Sequence, residues 1–180
     1  MGNWPAGSVF TLDGITPKIA DDAFIAPTAV IIGDVVIGSE SGIWFHTLIR
    51  GDMNSIRIGA RTNIQDGVVV HVDSGGFATE IGDDVTVGHN AVIHGCVLKN
   101  RAFVGISATV LDGAIIEEGG MLAAGGLLTP GKVIGRNEQW AGSPAKLRRV
   151  MDDDERKRFD RNAISYRELA YRFRAGLKPA

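Results

Sequence analysis

Cysteine is almost absent. Cys96 is the only one in 180 residues, so no internal disulfide can form, and a reducing, cytoplasmic setting is the simpler expectation. Neither sign of charge dominates: 19 Lys and Arg stand against 21 Asp and Glu, for a net charge of −2. That balance excludes a basic nucleic-acid tail and a polybasic membrane patch. No apolar run approaches the roughly 20 residues of a membrane span. The start, Met1-Gly2-Asn3-Trp4-Pro5, lacks the basic region followed by an apolar stretch that marks a secretory leader. Aromatic residues are sparse at 7%. The chain therefore reads as soluble, with neither nucleic acid nor membrane as a partner.

What is abundant is glycine. The 24 glycines are about 13% of the chain, against roughly 7% in ordinary usage, yet no Gly-X-Y period is present. An internal repeat accounts for them. From Ile25 an aliphatic residue recurs every six positions, at Ile31, Ile37, Ile43 and Ile49. The phase slips by three and resumes at Ile58, Ile64 and Val70. After a short polar loop, Asp73 to Glu80, it returns at Ile81, Val87 and Ile93. One residue is then missing, and Leu98, Val104, Val110, Ile116, Leu122, Leu128 and Ile134 complete eighteen positions. Four residues after many of these stands a small or β-branched side chain, among them Ala29, Thr47, Ala91 and Ala108.

A period of six matches neither a helix at 3.6 nor a plain alternating strand at 2.0. It matches a short strand, a sharp corner and another strand, with the aliphatic inside a narrow prism, the small residue at the crowded corner and glycine or asparagine at positive φ. The pattern resembles the hexapeptide-repeat family, whose fold is an all-β, left-handed parallel β-helix of triangular section. Three hexapeptides make one coil there, so eighteen make about six coils. The expected organisation is a lead-in over 1–18, the β-helix over 19–146, and a C-terminal helix over 147–180 packing on it. In that tail Asp152, Asp153 and Asp154 precede Phe159, Ala163, Tyr166, Ala170 and Phe173 at i+3/i+4 spacing. This is an amphipathic helix with acids at its start, as the macrodipole favours.

There are four histidines: His46, His71, His89 and His94. Imidazole is a common metal ligand, and three histidines with an open fourth position form a catalytic zinc pattern. His71 and His94 each follow a core aliphatic, and three hexapeptides, one coil, separate them. They are expected to stack on one face and point outward. His89 falls one hexapeptide earlier, on the preceding face. A site using all three lies between subunits, and cyclic threefold symmetry supplies three such sites. His46 reads as a packing or surface residue, Asp52 as a turn residue or interface partner, and Cys96 as a small buried side chain.

The surrounding residues identify a family. Arg50-Gly51-Asp52, Asn63-Ile64-Gln65-Asp66-Gly67, His71, Val85-Thr86-Val87-Gly88-His89 and Ile93-His94-Gly95-Cys96 resemble the γ-class carbonic anhydrases. Val110-Leu111-Asp112-Gly113-Ala114 and Ala141-Gly142-Ser143-Pro144-Ala145-Lys146 extend the match. The resemblance implies a homotrimer in which His71, His89 and His94 hold a metal shared between adjacent subunits. Arg50 and Asp66 then form an ion pair across the interface. Gln65 hydrogen-bonds the metal's water or hydroxide, and Tyr166 lies near the site. The implied activity is that of a lyase, the reversible hydration of carbon dioxide to bicarbonate. A histidine-bound zinc lowers its water's pKa to about 7 and so supplies hydroxide at neutral pH. Iron(II) or cobalt(II) also suits three imidazoles.

The founding γ-class enzyme has an acidic loop whose glutamates shuttle protons. The corresponding loop here, Asp73 to Glu80, is short and carries only Glu80 near its end. Gly105-Ile106-Ser107-Ala108 stands where a methionine-containing turn is usual. Two other readings of the same fold stay open: an acyl-CoA thioesterase or acyltransferase using the subunit cleft, and a non-catalytic trimeric scaffold stapled by metal.

Overall fold

A computed structural model describes residues 8–178. The expectation for the leader region, Met1 to Pro5, lies outside them. All eighteen aliphatics of the six-residue column are inside, none more than 5% exposed. Ala29, Thr47, Ala91 and Ala108 four residues on are buried as well. With an inward side chain every sixth residue and a corner between, successive strands cannot lie in one plane. They wind into a β-solenoid of about seven turns, each turn contributing one strand to each of three parallel stacks. Seven turns exceed the six counted from eighteen hexapeptides. Val9–Phe10 and Lys18–Ile19 pair below Val30–Ile37, and Glu138–Ala141 pairs above Met121–Leu122.

The three faces differ in what they show to the outside, because the residues flanking each inward aliphatic point outward. The helix face comprises Phe24–Ile25, Gly42–Ile43, Asn63–Ile64, Thr86–Val87, Phe103–Val104 and Met121–Leu122, capped by Glu138–Ala141. The histidine face is built from the first halves of Val30–Ile37 and Leu48–Ile58, then Val69–His71, Val92–His94, Thr109–Val110 and Leu127–Leu128. The charged face includes Lys18, Arg57 and Glu80 on its outer side. Val30–Ile37 and Leu48–Ile58 run unbroken around the corner between the histidine and charged faces, and their register shifts after Gly33. That shift is the three-residue slip in the period: Asp52 to Ser55 bulge outward before Ile56 and Ile58 return to the core.

The C-terminal helix, α1, spans Asp153–Gly176. Asp152 caps it, accepting from the Glu155 backbone N–H while the Glu155 side chain accepts from the Asp152 N–H. Its stripe packs down the helix face. Phe159 meets Phe103 at 5.1 Å between ring centroids, and Phe173 meets Trp44 at 5.3 Å and Phe24 at 5.9 Å. Arg156, 3% exposed, donates to the Gly119 carbonyl and pairs with Asp160, which also holds Arg101. No helix among the described residues is long and apolar enough to cross a membrane.

Candidate metal centre

The histidine face positions its two histidines through the β ladder itself. Val69–His71 and Val92–His94 are in register, with His71 opposite His94. Their rings are tilted by 59° with centroids 5.1 Å apart, and His71 Nδ1 lies 3.2 Å from His94 Nε2. The outer nitrogen of each ring meets a carboxylate: His71 Nε2 is 2.9 Å from Asp52, and His94 Nδ1 is 2.6 Å from Asp112. Asp52 reaches His71 because the bulge after Gly51 turns it back towards the face. Burial opposes its ionisation, but hydrogen bonding from His71 and the attraction of Arg50 hold its carboxyl below the usual range. Arg50 pairs with Asp52.

His89 sits at the corner leading from the helix face to the histidine face. Its Nδ1 is 3.0 Å from Asp66, and its Nε2 is 3.2 Å from the Tyr166 hydroxyl, which α1 brings over. Burial raises the Tyr166 pKa, so the phenol stays protonated and available as a donor. The backbone N–H of His89 donates to Gln65 Oε1 at 3.2 Å, and Gln65 Nε2 donates to Asn63 Oδ1 at 3.1 Å. Asn63 in turn donates to Thr86 Oγ1 at 2.9 Å and to the Val85 carbonyl at 3.4 Å. Both ends of this chain have fixed polarity, a backbone C=O at one and a backbone N–H at the other. The direction of each side-chain amide follows.

Within one chain the predicted residues thus form two groups. His71 and His94 stand with Asp52, Asp112 and Arg50; His89 stands with Asp66, Gln65 and Tyr166. Among the described residues no three His, Cys, Asp or Glu side chains converge on one point. Arg50 finds Asp52 as its partner in its own chain, while Asp66 holds His89. Sequence reasoning did not assign Asp52 and Asp112 to the histidines. The signal was present in part, since both lie in the quoted motifs and Asp52 opens the slip in the period. His46 lies exposed at a corner with φ 59°, its N–H donating to Thr28, and Cys96 is buried.

The donor set suits a divalent metal. Two imidazole nitrogens on a tetrahedral zinc, each at about 2.0–2.1 Å, lie about 3.3 Å apart, close to the 3.2 Å between His71 and His94. Carboxylates on the far nitrogens fix the tautomers that leave the near nitrogens as donors to metal.

Fold and site together define a hexapeptide-repeat β-solenoid bearing carboxylate-supported histidines at one face and one corner. No protein-family model matches the sequence. A solved structure, a hexapeptide transferase family protein from Anaplasma phagocytophilum, superposes with a TM-score of 0.89 at 44% identity, covering 93% of this chain and 98% of that one. The solenoid thereby matches the left-handed β-helix of hexapeptide-repeat proteins. The carbonic anhydrase of Geobacillus kaustophilus is 41% identical over 167 residues, 93% of this chain and 91% of its own. The mitochondrial γ carbonic anhydrase 2 of Arabidopsis thaliana is 46% identical over 160 residues, 86% of this chain, which spans 58% of that relative's length. The chain belongs to the γ carbonic anhydrase family.

Proposed function

We propose that the protein is a trimeric, metal-dependent carbonic anhydrase that hydrates carbon dioxide at sites shared between neighbouring subunits. The observation that carries this reading is the His71–His94 pair, its near nitrogens 3.2 Å apart and its far nitrogens each on a carboxylate. In this reading the pair supplies two of three histidine ligands, and the third comes from a neighbouring chain.

Two features support an assembly about an axis parallel to the solenoid, of which the trimer is the form proposed. First, the histidine face bears an outward stripe of Val30, Leu48, Val69, Val92, Thr109 and Leu127, paired rung to rung and half-buried in the single chain. An apolar stripe beside ligand histidines is what a second copy covers. Second, the heights agree. The solenoid climbs one strand spacing, about 4.8 Å, per turn. His89 precedes His94 by a third of a turn, so it lies about 1.6 Å below His94 and 3.2 Å above His71. Rotation about an axis parallel to the solenoid preserves height, so the partner's His89 arrives between the two. By the same count, Asp66 of the partner subunit arrives between Arg50 and His71, in keeping with an interface ion pair to Arg50.

In this reading His71, His94 and the partner's His89 hold the metal, zinc in the first instance, with iron(II) or cobalt(II) also suited to the ligands. The bound ion's contribution is to lower the pKa of water to about 7, so that hydroxide is available at neutral pH. Asp52 and Asp112 orient the two rings. Gln65 commits its oxygen to the His89 backbone and one Nε2 hydrogen to Asn63. The second Nε2 hydrogen can donate to an oxygen at the site. Gln65 is uncharged, so it orients that oxygen without opposing the formation of negative charge. Hydration of carbon dioxide by water gives bicarbonate and one proton, which must reach solvent each turnover.

The test pairs elemental analysis of anaerobically purified protein with stopped-flow hydration on the same sample. About one metal per chain and a rate well above buffer are expected, with both lost in His71→Ala. A fully loaded protein with no rate above buffer overturns the activity. Acyl-CoA hydrolysis that His71→Ala abolishes would place the same cleft in the thioesterase class instead.

A further inference from the structure

Hydration releases a proton each turnover, yet the carboxylates around the histidines are already committed. Asp52, Asp112 and Asp66 each hold an imidazole nitrogen. Asp73 accepts from the Gly75 N–H at 2.9 Å, and Glu80 stands on the charged face between Arg57 and Val97. One titratable side chain has no such task. His46 is exposed, and its backbone N–H donates to Thr28 Oγ1 at 3.0 Å. Its ring makes no hydrogen bond or ion pair among the described residues.

The corner that His46 occupies leads up to His89. The N–H groups of Gly67, Asn90 and Ser107 donate in turn to the carbonyls of Phe45, Asp66 and His89. Phe45, Asp66, His89 and Ile106 therefore stand in one column, with His46, Gly67, Asn90 and Ser107 beside it. Two rungs, about 10 Å, separate His46 from Asn90, and the rung between them carries no side chain. A Cβ at Gly67 would lie 2.2 Å from Asn90 Oδ1, so the Asn90 amide folds down into the space above His46. Asp66 spans the same interval in the first column. One of its oxygens accepts from the Phe45 N–H at 3.2 Å, and the other lies 3.0 Å from His89 Nδ1. Polar groups line the whole step from His89 to His46, and such a notch holds bridging water.

We propose that His46 is the proton relay of the site. It takes the proton released when carbon dioxide and water become bicarbonate, and passes it to a buffer base in solvent. This rests on the proposed activity and adds the route by which the proton leaves. Imidazole suits the task because it gains and loses a proton near neutral pH. The proton binds a ring nitrogen to give imidazolium, the base in solvent removes it, and nothing else is consumed. His46 and His89 belong to one chain, so their separation does not depend on how subunits assemble.

The placement is tested without reference to activity, in protein with 13C-labelled histidines loaded with cobalt(II) or with zinc. The His46 ring signal, identified by its loss in His46→Asn, is expected to shift or broaden in the cobalt form. An unmoved signal in fully loaded protein overturns the placement; a protein that takes up no metal overturns it together with the site. The relay itself is tested by hydration kinetics of His46→Asn, which keeps a side chain suited to the left-handed corner, φ 59°, and removes the titrating ring. In dilute buffer kcat is expected to fall about tenfold. The ratio kcat/KM, which reports the steps up to bicarbonate release, should not change. Free imidazole is expected to restore kcat, which a purely structural role would not allow. An unchanged kcat, or a loss that imidazole does not repair, overturns the relay and leaves the activity standing. An inactive wild type overturns the relay and the activity together.

Discussion

Cys96 illustrates what a position in the prism does to a side chain. Burial raises its thiol pKa to about 12 from the 9.0 of an accessible thiol. The native protein should therefore resist a chromogenic disulfide reagent at pH 8 and react only on unfolding. The sign of the stability effect follows. The unfolded chain ionises first, so this contribution is intact below pH 9 and is lost progressively as pH rises from about 9 through 12. Urea titrations across that range, compared with Cys96→Ala, check it. Two glycines separate conformation from space. Gly33 has φ +78° and a Cβ there would lie 2.3 Å from the Gly51 carbonyl oxygen; Gly125 has φ +65° with nothing within 4 Å. Gly125→Ala is expected to cost about 1–2 kcal/mol from the left-handed backbone alone. Gly33→Ala should cost distinctly more, and because Gly33 pairs with Gly51 it should also disturb Asp52 and weaken metal retention. Chemical denaturation and metal analysis read the two effects separately.

Helix α1 was legible as an element, since the spacing of Phe159, Ala163, Tyr166, Ala170 and Phe173 fixes both its period and its buried stripe. Asp152 with Glu155 three residues on is a capping box, and Asp152→Ala is expected to lower stability by about 1 kcal/mol in thermal or urea unfolding. What the spacing left open was the face that receives the stripe. The outward residues of the helix face include Phe24, Gly42 and Phe103; Gly42 leaves room for Trp44, whose ring meets both Tyr166 and Phe173 at 5.3 Å. Aromatic surface on both sides draws the helix there, and its descent carries the Tyr166 hydroxyl to His89.

At the scale of the whole molecule, the helix covers one face, and the histidine face keeps its aliphatic stripe. Val69→Lys, in the middle of that stripe, is expected to give a species of monomer mass by light scattering and to lose metal with it, because a lysine there must be desolvated for subunits to meet. His89→Ala should separate the two properties. In the proposed trimer, metal should be lost and the assembly kept, since there the stripe supplies apolar contact that the ion does not. Loss of the trimer in His89→Ala would favour a metal staple.

The six-residue period marked the eighteen inward aliphatics, and together with the resemblance to hexapeptide-repeat proteins, in which three units close one turn, it put His71 and His94 on neighbouring rungs. The amphipathic tail was determined by spacing alone. Only the tertiary structure decided what the irregular segments do. The three-residue slip at Asp52 became a bulge that returns a carboxylate to His71. Arg50 was paired within its own chain, and the corner residues Asp66, His89 and Ile106 were set in one column. Period marks which corner residues are small but not which polar side chains meet at corners and bulges, where partners come from other turns of the solenoid. Their contacts depend on three-dimensional proximity, which exists only once the coil has closed.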